Sequence, residues 1–167
     1  DDPKANDAID RLITIYAETR DAERLLAVLA LRLESSPSDE ERDRCLWHLA
    51  AASAVVVEDF ERAEGFLRRL VSESKEPIAM VARAAAALVR WKLPERAIEW
   101  LERFAENAAD EPAELLYAHA AYIAEEILHA PDKTLALTER GLERFPGSAA
   151  LLLAFERAAL ASKSIED

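Results

Sequence analysis

The sequence predicts an all-α protein: an α-solenoid of stacked antiparallel helix pairs, about four of them, with a C-terminal capping helix. Three observations predict it. The stretch Glu61-Arg62-Ala63-Glu64-Gly65-Phe66-Leu67 returns as Glu95-Arg96-Ala97-Ile98-Glu99-Trp100-Leu101, and 34 residues separate the two alanines. A period of that size marks helical repeat arrays. Apolar residues recur at helical spacing between breaks, with 3 Gly and 7 Pro in 167 residues. Hydrophobic residues make up 51% and charged residues 32%, the composition of a folded chain and not of a disordered one.

The elements follow in order. Residues 5–18 read as a helix on the stripe Ile9, Leu12, Ile13 and Tyr16, with Asp7, Asp10 and Glu18 off it. Residues 22–34 form a second helix on Leu25, Leu26, Leu29 and Leu33, ended by Ser35-Ser36-Pro37. Ser38-Asp39-Glu40-Glu41 is a capping box that opens a third helix, 39–57. That helix is apolar almost all round from Cys45 to Val57, so it is expected to be covered on several sides. The fourth, 60–73, turns Phe60, Ala63, Leu67 and Leu70 inward and Arg62, Arg68 and Arg69 outward.

Pro77 opens an alanine-rich fifth helix, 78–92, and Pro94 a sixth, 95–107. Acids at 110 and 111 favour the start of a seventh, 113–129. Pro131 starts the eighth, 132–145; after Pro146-Gly147-Ser148 comes a ninth, 149–162, on Leu151, Leu152, Phe155 and Ala159, with Arg157 and Lys163 facing water. Short loops make sequential neighbours antiparallel. The even-numbered helices align at Leu25, Ala63, Ala97 and Thr134, giving one repeat domain with copies near 5–37, 39–75, 78–109 and 113–146.

These residues resemble the tetratricopeptide repeat (TPR) family. Ile9, Leu12, Ile13 and Tyr16 keep the spacing of its first helix, and Trp47, Ala50 and Ala51 keep most of it. Glu58-Asp59-Phe60 is similar to its turn, Ala63 and Ala97 to its small second-helix residue, and Pro37 and Pro146 to its closing proline. Ala51 and Ala85 stand where the family prefers Gly, and Leu25 and Thr134 where it prefers a small residue. The resemblance implies a right-handed superhelix whose first helices line a groove for a peptide or a partner helix.

The formal net charge of −12 argues against nucleic acid and anionic membrane surfaces, and no apolar run is long enough to insert in a bilayer. A lone Cys45 gives no internal disulfide and fits a reducing, cytoplasmic setting. Asp1 is not a natural start, which leaves room for a removed leader or flanking domain.

No cofactor, metal site or enzymatic centre is expected. Glu126-x-x-His129 has the spacing of a di-iron helix, but that site needs a second such motif and further glutamates. His129 is instead expected near a helix end. Cys45 and His48 share a helix face without an orienting group or oxyanion hole, so Cys45 reads as a structural thiol. Trp47 is expected between helices; Trp91 and Trp100 lie near the ends of their stripes, with core packing the expected place for them and partial exposure, as anchors for a partner, the alternative.

The residues expected to bind a partner are His48, Arg83, Arg90 and His119. His48, Arg83 and His119 fall 35 and 36 residues apart on successive first helices, and Arg90 follows Arg83 by seven on the same face. In a stacked array such positions form a row about 10 Å apart. Ala52, Val56, Ala82 and Ala86 would floor the groove, and Asp7, Asp10, Glu18, Glu125 and Glu126 would make its ends acidic. Imidazoles titrating near pH 6.5 would tighten binding of an acidic group as pH falls. The function this implies is a non-enzymatic scaffold or adaptor for a protein or peptide. The alternatives are a self-associating module, with a homodimer as partner, and a regulatory segment of a larger enzyme or signalling protein.

Overall fold

The computed structural model describes residues 3–35 and 38–163, apart from the side chains of residues 3–7, 10, 17 and 163. The described residues hold nine α-helices and no strand: α1 (Pro3–Thr19), α2 (Ala22–Glu34), α3 (Asp39–Ala52), α4 (Phe60–Glu73), α5 (Pro77–Arg90), α6 (Pro94–Asn107), α7 (Asp110–Tyr122), α8 (Pro131–Arg144) and α9 (Ala149–Lys163). Each starts within three residues of where the breaks place it. Helices α3 and α7 run on into π-turns at Ser53–Val57 and Ile123–Ile127.

The chain divides into two compact units, Asp1–Pro77 and Ile78–Asp167. In the first, α1 packs on α2, α2 on α3 and α3 on α4. In the second, α6 packs on α7, α7 on α8 and α8 on α9, and α7 also meets α9. Trp100 joins α6 to α5 by donating from Nε1 to the Val81 carbonyl at 3.2 Å.

Local chemistry sets the helix starts. The side chains of Asp21, Ser38 and Asp59 accept from the backbone N–H of Arg24, Glu41 and Arg62 at 3.3, 3.3 and 3.0 Å, satisfying donors the first helical turn leaves free. Pro94 and Pro131 occupy first positions, where a missing N–H costs nothing. At Ser38 only half of the expected capping box forms. The Glu41 carboxylate turns instead to Arg32 of α2, at 3.3 Å.

A backbone signature marks the repeat. Arg20, Glu58, Lys92 and His129 are the non-glycine residues with positive φ among those described, at 55°, 58°, 64° and 51°. One closes the first helix of each pair, and each stands five residues before Leu25, Ala63, Ala97 or Thr134, which are 5, 1, 0 and 0% exposed. An L-residue in this region costs about 1–2 kcal/mol, so packing must hold these turns. The first helices share a burial register as well. Cys45, Leu46, Leu49, Ala50, Ala52 and Ser53 are buried in α3 and its π-turn. Met80, Val81, Ala84, Ala85, Ala87 and Leu88 repeat the pattern 35 residues on, and Leu116, Tyr117, Ala120, Ala121, Ile123 and Ala124 repeat it 36 after that. From the last of each set to the left-handed residue there are five residues in the copies with a π-turn and four in α5. The wider i→i+5 turn absorbs the extra residue without disturbing the register.

The structure corrects several expectations. The helix at 39–57 loses its cover toward its end, where Val55, Val56 and Val57 in the π-turn are 55, 38 and 38% exposed. Among the tryptophans, Trp100 takes the core place expected of it, at 2% exposed, while Trp91 and Trp47 are partly buried. In α1, Leu12 is exposed, and Ile9, Ile13 and Tyr16 are partly buried. In α9 the buried residues are Leu151, Ala154 and Ala158; Phe155 and Ala159 are partly covered, and Leu152 is 41% exposed. A single helix buries only about a third of its circumference, and Leu152 sits 100° from Leu151. The expectations for Asp7, Asp10, Pro37 and Lys163 fall outside the described residues or side chains.

Ala97 is 0% exposed at the tight position of α6. Ala97→Leu is expected to overpack the second unit and cost about 1–3 kcal/mol, read as a lower urea midpoint with the slope unchanged. An unaltered midpoint would show that the space is not closed.

Candidate functional site

The shared burial register also aligns what the first helices turn outward. His48, Arg83 and His119 occupy one position of that register. His48 and Arg83 are exposed and His119 is partly buried. Seven residues on stand Val55, Arg90 and Glu126, all exposed. His48 belongs to the first unit; Arg83, Arg90 and His119 belong to the second. Of the four, Arg83 and Arg90 share one helix, two turns apart.

The register identifies residues that sequence spacing missed. Counting back from the left-handed turn, Arg11 takes the same position in α1 and is exposed. Leu115 and Tyr122 of α7, 62 and 55% exposed, flank His119 at the four- and three-residue spacings that share a helix face. Leu153 and Leu160 of α9, 56 and 71% exposed, stand where His48 and Val55 stand in α3, taking Leu151, Ala154 and Ala158 as the counterparts of Leu46, Leu49 and Ser53. Because α7 packs on α9, the apolar side chains and imidazole of α7 and the leucines of α9 stand on neighbouring helices of the second unit; α5 presents its cations at the same register position.

The expected floor and acidic ends hold in part. Val56 and Ala86 are exposed, but Ala82 is partly buried and Ala52 is core. Glu18 and Glu126 are exposed. Glu125 is committed elsewhere: Arg157 of α9 donates to both its oxygens, at 2.6 and 2.7 Å. The Arg157 hydrogen bonds hold the Glu125 carboxyl below the usual range, against the opposing effect of its partial burial. Other ion pairs serve the packing too. Arg144 at the end of α8 donates to Asp110 Oδ1 at 2.8 Å and to the carbonyls of Ala105 and Ala108 at 3.1 and 2.8 Å, tying down the α6–α7 turn, and Arg140 of α8 pairs with Glu102 of α6.

Burial lowers the His119 pKa from its usual value near 6.5. This corrects the expectation that His119 gains charge readily as the pH falls. Burial likewise raises the Tyr117 hydroxyl, with Glu106 adding to it. The sign for stability follows. Above the unfolded value of about 6.5 His119 is neutral in both states and its full contribution is present. As the pH falls below that value, the unfolded chain takes the proton first and stability is lost. A thermal melt at pH 8 and pH 5.5 is therefore expected to fall more for the parent than for His119→Gln. Equal falls would place the imidazole in water.

His129 closes α7 with φ 51° and is exposed, as a helix-end residue. Cys45 is buried and forms no disulfide. No group of three or more His, Cys, Asp or Glu suited to a metal occurs among the described residues, and no described helix is long and apolar enough to cross a membrane. No protein-family model matches the chain, and no curated protein matches it.

Proposed function

We propose that the chain is a non-enzymatic protein–protein interaction scaffold of the TPR type, a right-handed solenoid of four helix pairs and a capping helix. On this reading the outward faces of its first helices bind a peptide or helix of a partner, through His48, Arg83, Arg90 and His119. The observation that carries it is the common register. The same position of successive first helices turns outward, and in the second unit the cations Arg83 and Arg90 accompany exposed Leu115, Tyr122, Leu153 and Leu160. Large aromatic and apolar side chains beside arginines are the composition of binding hot spots. The single cysteine, Cys45, which forms no disulfide, supports a reducing, cytoplasmic setting.

The test is capture of partners from host extract by the parent and by the pair Arg83→Ala/Arg90→Ala. A specific protein retained by the parent, with affinity reduced at least about tenfold in the double variant, is the expected result. No retained protein, or equal retention, overturns the assignment. Self-association is the second reading, favoured by the exposed Leu152, Leu153 and Leu160 of α9. Sedimentation that changes with concentration in the parent and not in Leu153→Glu/Leu160→Glu would support it.

A further inference from the structure

The first helix pair departs from the repeat on both of its helices. Counted back from the left-handed turn as in α5, the six positions buried in α3, α5 and α7 fall in α1 on Ala8, Ile9, Leu12, Ile13, Ile15 and Tyr16. All six are apolar, yet none is buried, and Leu12 and Ile15 are 37 and 49% exposed. The last helix, α9, carries the exposed Arg157 at the place that Ile15 takes in α1. In α2, Leu31 is 58% exposed. It stands six residues after Leu25. Six residues after Ala63, Ala97 and Thr134 the other second helices carry Arg69, Arg103 and Arg140. An arginine suits this place beside water, and α2 gives it up for leucine.

These residues share one side of the first unit. Ile13 and Leu29 turn toward α3, lining a cavity with its Cys45 and His48. At about 100° per residue, Ala8 and Ile15 point about 140 and 160° away from Ile13, and Ala27 and Leu31 about 160° away from Leu29. All four are exposed, and Leu12 borders them on α1. Because α1 packs on α2, they form an apolar face two helices wide, turned away from α3. Contiguous exposed apolar surface of this kind marks an interaction site.

We propose that this face joins two copies of the chain about a two-fold axis, with α1 and α2 of one copy laid on α1 and α2 of the other. It stands apart from both readings above, since it uses neither the cations of the second unit nor the leucines of α9. Three features select a second copy. The face is two helices wide, and a copy brings another of the same width, closing a four-helix layer. Its centre is apolar, so a two-fold sets no like charges against each other there. Its rim is self-complementary: Arg11 and Glu18 are exposed seven residues apart on the edge of α1 away from α2. With Leu12 of one copy on Ile15 of the other, the two α1 helices run antiparallel. Arg11 of one then stands about two residues, or 3 Å along the axis, from Glu18 of the other. Exposed pairs of this kind set orientation more than affinity. Helices of 17 and 13 residues are about 25 and 20 Å long and lie about 10 Å apart. Over both copies the face covers roughly 900 Å², the low end for specific association, so a micromolar dimer is expected.

The experiment is sedimentation equilibrium of the full chain from about 10 μM to about 1 mM, a range that brackets the affinity expected of so small an interface. The parent is expected to pass from monomer to dimer. Leu12→Glu/Ile15→Glu should stay monomeric, and Leu31→Arg should weaken the dimer at least about tenfold. Leu31→Arg installs the residue that the other three second helices hold, so it keeps the fold even where the α1 variant does not, and circular dichroism checks the helix content of both. Leu153→Glu/Leu160→Glu should dimerise like the parent, which separates this face from that of α9. A parent that stays monomeric at the highest concentration overturns the proposal and leaves the face to a foreign partner. So does a dimer that Leu31→Arg leaves intact, or one that the α9 variant abolishes.

Discussion

Trp100→Ala is expected to destabilise the second unit by about 3–5 kcal/mol, the cost of removing a large buried aromatic and leaving its cavity. The indole is 2% exposed and packs at a tilt on Phe104 with ring centroids 4.7 Å apart. Its Nε1 also donates to the Val81 carbonyl of α5. Trp100 thus both fills the core and joins two helices. At roughly 2–4 °C per kcal/mol for a chain of this size, the melting temperature should drop by about 10 °C. Trp100→Phe keeps most of the ring contact and loses the donor, so a smaller loss of about 1–3 kcal/mol is expected. Circular-dichroism melts of the two variants check both. A Trp100→Ala protein that melts with the parent would mean the indole is not in the core.

The second large effect is a change of sign at Gly141. This residue lies in α8, where a Cβ would stand 2.8 Å from Leu151 Cδ1 and 3.3 Å from Tyr117 Cβ. Leu151 is 0% exposed and cannot swing into water. Leu151→Ala alone is expected to cost about 2–5 kcal/mol. Gly141→Ala alone sets a gain of about 1 kcal/mol in helix propensity against overpacking of about 1–3 kcal/mol, and should be neutral or destabilising. In the Leu151→Ala background the obstructing methyls are gone, so the same Gly141→Ala change should stabilise by up to about 1 kcal/mol. Denaturant titration of the four proteins measures this coupling. Simple additivity would show that Leu151 does not close the space above Gly141.

Much of the helical layout is legible in the residues. Prolines at 77, 94 and 131 and caps at Asp21, Ser38 and Asp59 place helix starts through interactions within one turn. Spacing alone also aligned His48, Arg83 and His119, and the common burial register agrees with that alignment. Arg11 escaped notice because the residue that locates it, Arg20, carries no sign of a left-handed turn: φ at an arginine is set by what packs around it.

By itself the sequence determined the helices, their order and the period of the repeat. These depend on near neighbours, and near neighbours are written in the chain. Tertiary structure decided which apolar residues are covered. Trp100 went to the core, while Val55, Leu115, Leu153 and Leu160 stayed in water. An apolar side chain has the same transfer preference in either place, and only the presence of a neighbouring helix settles it. Tertiary structure also decided the partners of long charged side chains. Glu41 left its own helix cap for Arg32, and Glu125 closed on Arg157, 32 residues away. Those choices follow from helices brought side by side by the burial of their stripes, a distance that sequence separation does not encode.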